Sequence, residues 1–306
     1  MKINGYNPSG EFVGDLKAAI KSISASKNTR EAYWADARHW LKFCEEKQIN
    51  PVPAEDQKKK LIRATVDWAD AMRESGMSST TRVRRFAALS SMYDEICRMD
   101  PDLTNPFKSP RRERPVRERP TPIVEPDIVA RMLKACAEDV TWVGRRDEAL
   151  LRLLWATGMR RSSAVSITRD RLSEDGSSYY AEVFKKGGKT LRILIIGSAA
   201  QALRVHLENH QQEGGHIFTR PSGEPMDGRD VWLVVKQRAR EAGVTKRLSP
   251  HSFRAAFLTY GQAGLEARQD AAGHSSPDVT KLYDRAEWRG KEAFEKMPEV
   301  EDMIKK

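Results

Sequence analysis

Apolar residues recur at helical spacing over most of this chain, and the rhythm breaks at a basic, proline-studded stretch, at one β-rich stretch and at isolated glycines. An early helix is predicted with Asn28 as its cap and Glu31 returning the bond at the third position, followed by Tyr33, Ala37, Trp40, Leu41 and Cys44. A second is predicted over residues 55–75, with Leu61, Ile62, Val66, Trp68 and Ala69 as apolar positions and Gly76 as its stop. A third opens near Ser79 and turns Val83, Phe86, Ala87, Leu89, Ser90 and Tyr93 inward, displaying Arg82, Arg84 and Arg85 on its other face. Next comes the stretch 106–122, with Pro110, Pro115 and Pro120 among Lys108, Arg111, Arg112, Arg114, Arg117 and Arg119. Proline blocks helix continuation and like charges repel, so this stretch is predicted to be an extended linker.

Beyond the linker, Pro126 starts a helix over 127–137, and a strongly apolar one follows over 142–156 through Leu150, Leu151, Leu153, Leu154 and Trp155. Gly158 stops it, and Arg160 opens a short helix running to Ile167. Residues 180–184 and 191–196 are β-rich and flank Lys185, Lys186, Gly187, Gly188 and Lys189, which reads as a hairpin. Helices resume over 198–212 and 228–242, and Ser249 followed by Pro250 is a helix-start signal. The expected fold is therefore mainly α with a small antiparallel β hairpin or sheet. Its expected divisions are a helical domain over 13–105, a linker over 106–120 and a second domain over 121–306.

Composition sharpens this picture. A chain of 306 residues fits two domains, each with a substantial core. Lys and Arg number 53 against 43 Asp and Glu, a net +10 that suits a polyanionic partner such as nucleic acid. On that footing the three arginines in the first turns of one helix, and Arg111, Arg112 and Arg114 in the linker, are candidates to contact DNA phosphates. A charged helix face or a basic hinge that is merely solvated is the plainer alternative. Cys44, Cys97 and Cys136 show no CxxC spacing, so neither a disulfide framework nor a thiolate metal site is expected. The first twelve residues lack the apolar core of a signal peptide, and no apolar run approaches membrane-spanning length. A cytoplasmic protein, on the nucleoid when bound to DNA and without a membrane partner, is expected.

The chemistry lies in short pieces in a fixed order. Thr157, Gly158, Met159 and Arg160 form a turn ending in a guanidinium; the Lys-Gly-Gly turn follows; then come His251-Ser252-Phe253-Arg254, Gly273-His274-Ser275-Ser276 and Tyr283. Arg-turn, Lys-hairpin, His-x-x-Arg, Gly-His and Tyr in this order and spacing resemble the tyrosine recombinases of the phage-integrase type, over nearly the whole chain. The resemblance implies a core-binding module, a linker and a catalytic domain closing as a C-shaped clamp on duplex DNA.

Each piece then has a physical reason. Pro250 at a helix start puts His251 and Arg254 three apart on one face of the first turns, where the helix favours anions. Arg160 and Arg254 would fork the phosphate oxygens and stabilise the added negative charge on pentacoordinate phosphorus. Tyr283 would attack, His251 would take its proton, and His274 would hydrogen-bond a non-bridging oxygen. Lys186 would protonate the leaving 5′-oxygen, with Lys185 and Lys189 as alternatives. The resemblance implies a 3′-phosphotyrosine, a Holliday junction and a homotetramer on two DNA sites. It implies no metal, ATP or other cofactor. With helices beginning inside the first thirty residues, a simple recombinase without an arm-binding domain is expected, acting on short inverted-repeat sites. The pattern departs from the family in two places: beside Arg160, Ser163 replaces the common Glu and Arg161 the usual apolar residue, and the second hairpin strand ends in Ile195-Ile196-Gly197 without the frequent proline.

Rival readings are a type IB topoisomerase-like enzyme, or a DNA-binding protein that has lost catalysis. A zinc site at His206, His210 and His216 is disfavoured because Leu207, not Glu, follows the first histidine; a solvent-facing polar helix is expected there. Finally, Phe294, Met297, Val300, Met303 and Ile304 among charges mark residues 291–306 as a stretch to dock on a neighbouring protomer, or else as a frayed tail.

Overall fold

Four amphipathic helices, α1 (Gly10–Ile23), α2 (Lys27–Glu46), α3 (Lys58–Glu74) and α4 (Ser79–Met99), make the first part of the chain. The computed structural model describes residues 10–100, 102–108, 113, 122–184, 190–209, 215–263 and 293–304, and it divides into two compact units, residues 1–120 and 121–306.

The first unit is organised around aromatic rings whose polar tips are all satisfied. Trp40 Nε1 donates to Tyr93 Oη at 2.8 Å, Tyr93 Oη donates to the Pro51 carbonyl at 2.7 Å, and Trp68 Nε1 donates to His39 Nδ1 at 3.0 Å. Phe107 inserts among them, its ring 5.1 Å from those of Trp40, Phe86 and Tyr93. Pro106 and Phe107 are buried in a short 3-10 turn, so the expected linker begins with two residues of this unit's core. Asn105 sets that turn, donating to the Ser90 carbonyl at 2.8 Å and accepting from Phe107 N at 2.9 Å.

Several sequence expectations are corrected here. Helix α1 was not anticipated; Phe12, Leu16, Ala19 and Ile20 bury its apolar stripe. Helix α2 opens from Ser26, not Asn28, because the extended Ser26 backbone already accepts from Arg30 N at 3.0 Å. In α3 the buried stripe is Leu61, Ala64, Thr65, Trp68 and Met72, which leaves Val66 43% exposed. In α4 the inward face is Ala88, Leu89, Ser90, Met92, Tyr93 and Ile96, and Ala87 faces solvent. The errors in α3 and α4 have the same source: two neighbouring stripes satisfy i, i+3, i+4 spacing, and only the packed partners choose between them.

The second unit surrounds α6 (Trp142–Thr157), which buries residues on every side, from Gly144, Arg146 and Asp147 to Leu150, Leu151, Leu153, Leu154 and Trp155. Against it pack α5 (Pro126–Glu138), α8 (Gly197–Asn209) and α10 (Pro250–Tyr260), while α7 (Arg161–Val165) and α9 (Gly228–Glu241) lie beside one another. Strands β1 (Leu172–Asp175), β2 (Ser178–Phe184) and β3 (Thr190–Ile195) form an antiparallel sheet in the order β1-β2-β3. Its register pairs Leu172 with Ala181, Tyr179 with Ile195 and Phe184 with Thr190. Strand β1 was not anticipated, because its sequence, Leu-Ser-Glu-Asp, has no apolar alternation; its hydrogen bonds to β2 make it a strand.

A buried ion cluster ties the start of α6 to α9. Arg146 donates to Asp147 Oδ1 at 2.7 Å and to the Thr219 carbonyl at 2.8 Å, and Arg238 reaches Asp147, Asp139 and Glu241 at 2.8, 2.7 and 3.0 Å. Such a cluster repays its desolvation only when every member is partnered, as here.

The C-terminal stretch packs on its own unit. Ala293, Phe294, Met297 and Val300 are buried in that core, and α11 (Val300–Ile304) closes the described chain. Trp155 Nε1 donates to the Pro298 carbonyl at 3.1 Å, Arg152 pairs with Glu301 at 2.9 Å, and Glu299 accepts from Ser198 N at 3.0 Å. A frayed tail does not describe residues 293–304.

Candidate active site

The site begins at Gly158. It ends α6 in the left-handed conformation, φ +57°, with its N–H donating to the Leu154 carbonyl at 3.0 Å. A Cβ there would lie 2.7 Å from atoms of the Phe257 ring, so α10 passes too close for any other residue. That close approach lets Arg254 Nη1 of α10 donate to the Gly158 carbonyl at 2.9 Å. Two residues on, Arg160 is the extended N-cap of α7, with its side chain exposed.

Helix α10 starts as its sequence predicts. Ser249 is the cap, Pro250 takes the first position, and Ser249 N donates to Ser252 Oγ at 3.1 Å. His251 projects exposed from the first turn, and Arg254 lies one turn on, 7% exposed. Burial, and secondarily the Arg160 charge, lower the Arg254 guanidinium to about 10. It remains protonated at neutral pH and is held as a cation that gains from any anion placed beside it. His251 is lowered from its ordinary value by partial desolvation of the ring, then by the charges of Arg161, Arg254 and Arg160. Its ring is therefore kept neutral, the form a proton acceptor needs.

The structure thus brings Arg160, His251 and Arg254 together. Tyr283, His274 and Lys186, with Lys185 and Lys189, lie outside the described residues, as do Arg111, Arg112 and Arg114. Sequence reasoning missed the Gly158 carbonyl as the anchor of Arg254, and it noted Arg161 only as a departure from pattern. Its signal was a second small residue, Gly228, which a Cβ would bring to 3.1 Å from Arg161 Nε.

The arginines of α4 are not freely displayed as a set. Arg84 holds buried Asp36 through both carboxylate oxygens, one at 2.9 Å, and Arg85 Nε lies 3.5 Å from the same carboxylate. Arg82 pairs with Glu113, whose carboxyl it holds below the ordinary range, and it also donates to the Met77 carbonyl. Only Arg84 keeps half its side chain exposed, against 12% for Arg82 and 19% for Arg85. The expected outward face is corrected on that point: buried Asp36 and half-buried Glu113 draw Arg85 and Arg82 inward.

The histidines read as a disfavoured zinc site are structural. His206 is fully buried, stacked on Phe218, with Nε2 2.7 Å from the Ile217 carbonyl, which corrects the expected solvent-facing helix. His216 Nδ1 bonds the Val165 carbonyl at 2.9 Å, and His210 lies outside the described residues. Among the described residues no group of three His, Cys, Asp or Glu is placed to hold a metal, and no helix is long and apolar enough to cross a membrane.

A buried and an exposed guanidinium with a neutral imidazole, gathered on a helical scaffold, are groups that can hold a phosphate. The model of the phage integrase family matches residues 123–288. The tyrosine recombinase XerC of Chromohalobacter salexigens is 30% identical over 277 residues, covering 87% of this chain and 88% of the relative. The tyrosine recombinase XerC of Rhodospirillum centenum is 27% identical over 270 residues, 85% and 77% respectively. Among solved structures, a lambda integrase dimer bound to a COC′ core site superposes with a TM-score of 0.67 at 16% identity, over 88% of this chain and 95% of that one. A lambda integrase tetramer bound to a Holliday junction gives 0.66 at 15% identity, over 88% and 75%. These structural likenesses are of fold. The chain belongs to the phage integrase family, the tyrosine-type site-specific DNA recombinases.

Proposed function

We propose that this recombinase cleaves and rejoins duplex DNA through a tyrosine-linked intermediate at the site built on Gly158, α7 and α10. The observation that carries the reading is the joining of Arg254 to the Gly158 carbonyl beside Arg160 and His251. Tyr283 attacks the scissile phosphorus, and His251 accepts the phenol proton. The P–O bond to the 5′-oxygen breaks, and Lys186 delivers the proton that makes the 5′-hydroxyl. Arg160, Arg254 and His274 hold the non-bridging oxygens. The bond energy stays in the 3′-phosphotyrosine, so the 5′-hydroxyl of a partner strand reverses the step without metal or ATP. Two such exchanges pass through a Holliday junction, carried by four protomers on two short inverted-repeat sites.

Residues 13–105 serve as the core-binding domain, with the exposed half of Arg84 shared between its Asp36 pair and a phosphate, and Arg82 and Arg85 setting its helix. Arg111, Arg112 and Arg114 lie along the backbone from the linker over 106–120, and residues 121–306 catalyse. A duplex nicked next to the cleavage point traps the intermediate. A covalent adduct should form in EDTA and vanish in Tyr283→Phe; an adduct that survives this substitution overturns the nucleophile assignment. Strand exchange between two identical sites, as against supercoil relaxation alone, separates recombination from topoisomerase-like relaxation.

A further inference from the structure

We propose that Arg161 is a further DNA-binding residue of this site, seated on Gly228 to take the backbone phosphate next to the scissile one. Its position is built. The side chain leaves the first residue of α7 and runs across the first residue of α9, where a Cβ on Gly228 would meet Nε, Cδ and Cγ at 3.1, 3.3 and 3.4 Å. A Cβ at 228 would make the arginine give way by a few tenths of an ångström.

Its charge is directed at the site. Among the described residues it is the strongest charged influence on His251, ahead of Arg254 and Arg160. It is also uncompensated: no carboxylate among the described residues pairs with Arg161, although Asp227 and Asp230 stand at the same helix start. Those two carboxylates are taken by Arg220, at 3.2 and 2.7 Å, and by the backbone N–H groups of Arg229 and Asp227. Arg161 stands close enough to Arg160 and Arg254 for all three charges to act on His251, so the cations repel one another and an external anion among them relieves that repulsion. The anion that reaches the site in this reaction is the DNA backbone. One phosphate oxygen pair suits the planar fork, and the adjoining phosphate is the one left over once Arg160 and Arg254 hold the scissile group.

The inference rests on the reading of the site given above, and its test separates the two. Duplexes selected from random DNA by the intact protein would carry a single neutral methylphosphonate at each phosphate on either side of the cleavage point. Affinities would be compared for wild type, Arg161→Met and Gly228→Ala. At one flanking position, neutralisation should weaken wild type several-fold and leave Arg161→Met almost unaffected. The salt slope of Arg161→Met should be shallower by about 0.9, one phosphate contact. Gly228→Ala, which keeps the charge but shifts its seat by a few tenths of an ångström, should be less sensitive than wild type at that same phosphate and unchanged at the others. Should Gly228→Ala not fold, the Arg161→Met comparison decides alone, since that side chain is exposed. Equal losses in wild type and Arg161→Met at every phosphate, with an unchanged slope, overturn the inference. Absence of any Tyr283-dependent adduct in wild type would instead overturn the underlying reading.

Discussion

Replacing Gly158 by alanine tests the joint on which the site is built. At φ +57° alanine enters the left-handed region, which costs an L-residue about 1–2 kcal/mol. The added Cβ also lies 2.7 Å from two Phe257 ring atoms and 2.8 Å from Phe257 Cβ, in a fully buried contact. Helix α10 must then move away from the end of α6 by several tenths of an ångström, and overpacking of this kind costs about 1–3 kcal/mol. The expected loss is therefore about 2–5 kcal/mol, a large share of ordinary domain stability. The same movement pulls Arg254 from the Gly158 carbonyl; since about 1 Å of misplacement costs on the order of 10²-fold in rate, several tenths of an ångström should cost roughly tenfold. Urea unfolding reads the first effect, and single-turnover adduct formation on a nicked duplex, well below the melt, reads the second. Gly158→Asn is the control: asparagine tolerates the left-handed region but carries the Cβ, so it should recover only the conformational part. An alanine variant within about 0.5 kcal/mol of wild type, with an undiminished adduct rate, would refute the argument.

Three further outcomes are expected. Asp147→Ala leaves Arg146 without its carboxylate and Arg238 with one partner fewer, so the catalytic unit should lose about 3–5 kcal/mol, read as a drop in its thermal melt. Phe107→Ala should cost the helical unit about 3–5 kcal/mol in urea unfolding, whereas a true linker residue would cost almost nothing. Because His251 is lowered in the folded protein, the acid limb of cleavage should fall below the ordinary imidazole value of 6.5. It should move upward in Arg161→Met, as a pH series of adduct formation would show. For stability the sign is opposite to that of a paired cation: the unfolded chain binds the proton more readily, so this residue disfavours the fold as pH drops through the imidazole range.

What could be read early follows from how local each signal is. Ser249 and Pro250 specify a helix start by themselves, and with it the placing of His251 and Arg254 on one face, because capping and the fixed proline φ act within one turn. The stop at Gly158 was legible for the same reason, but its left-handed φ is only half of its role. The other half, the passage of Phe257 and the carbonyl offered to Arg254, joins residues 96 positions apart, and no local pattern announces it.

Charge was the least legible property. A run of arginines on one helix looks the same in sequence whether it faces phosphate or carboxylate. Buried Asp36, 48 positions before Arg84, sets the difference for α4. His206 is the mirror case: polar by type, yet enclosed because the Ile217 carbonyl and the Phe218 ring meet it.

By itself, then, the sequence determined the helical class, the helix boundaries near strong caps, the family pattern and the order of reactive groups, since all of these rest on period, backbone preference or motif. Only the tertiary structure decided which stripe of each helix is buried and that Phe107 is core. It also decided that the C-terminal stretch folds back on its own unit and that Arg161 rests in the trough of Gly228. Those outcomes depend on contacts between distant segments, where packing and desolvation choose among arrangements that local preference leaves equal.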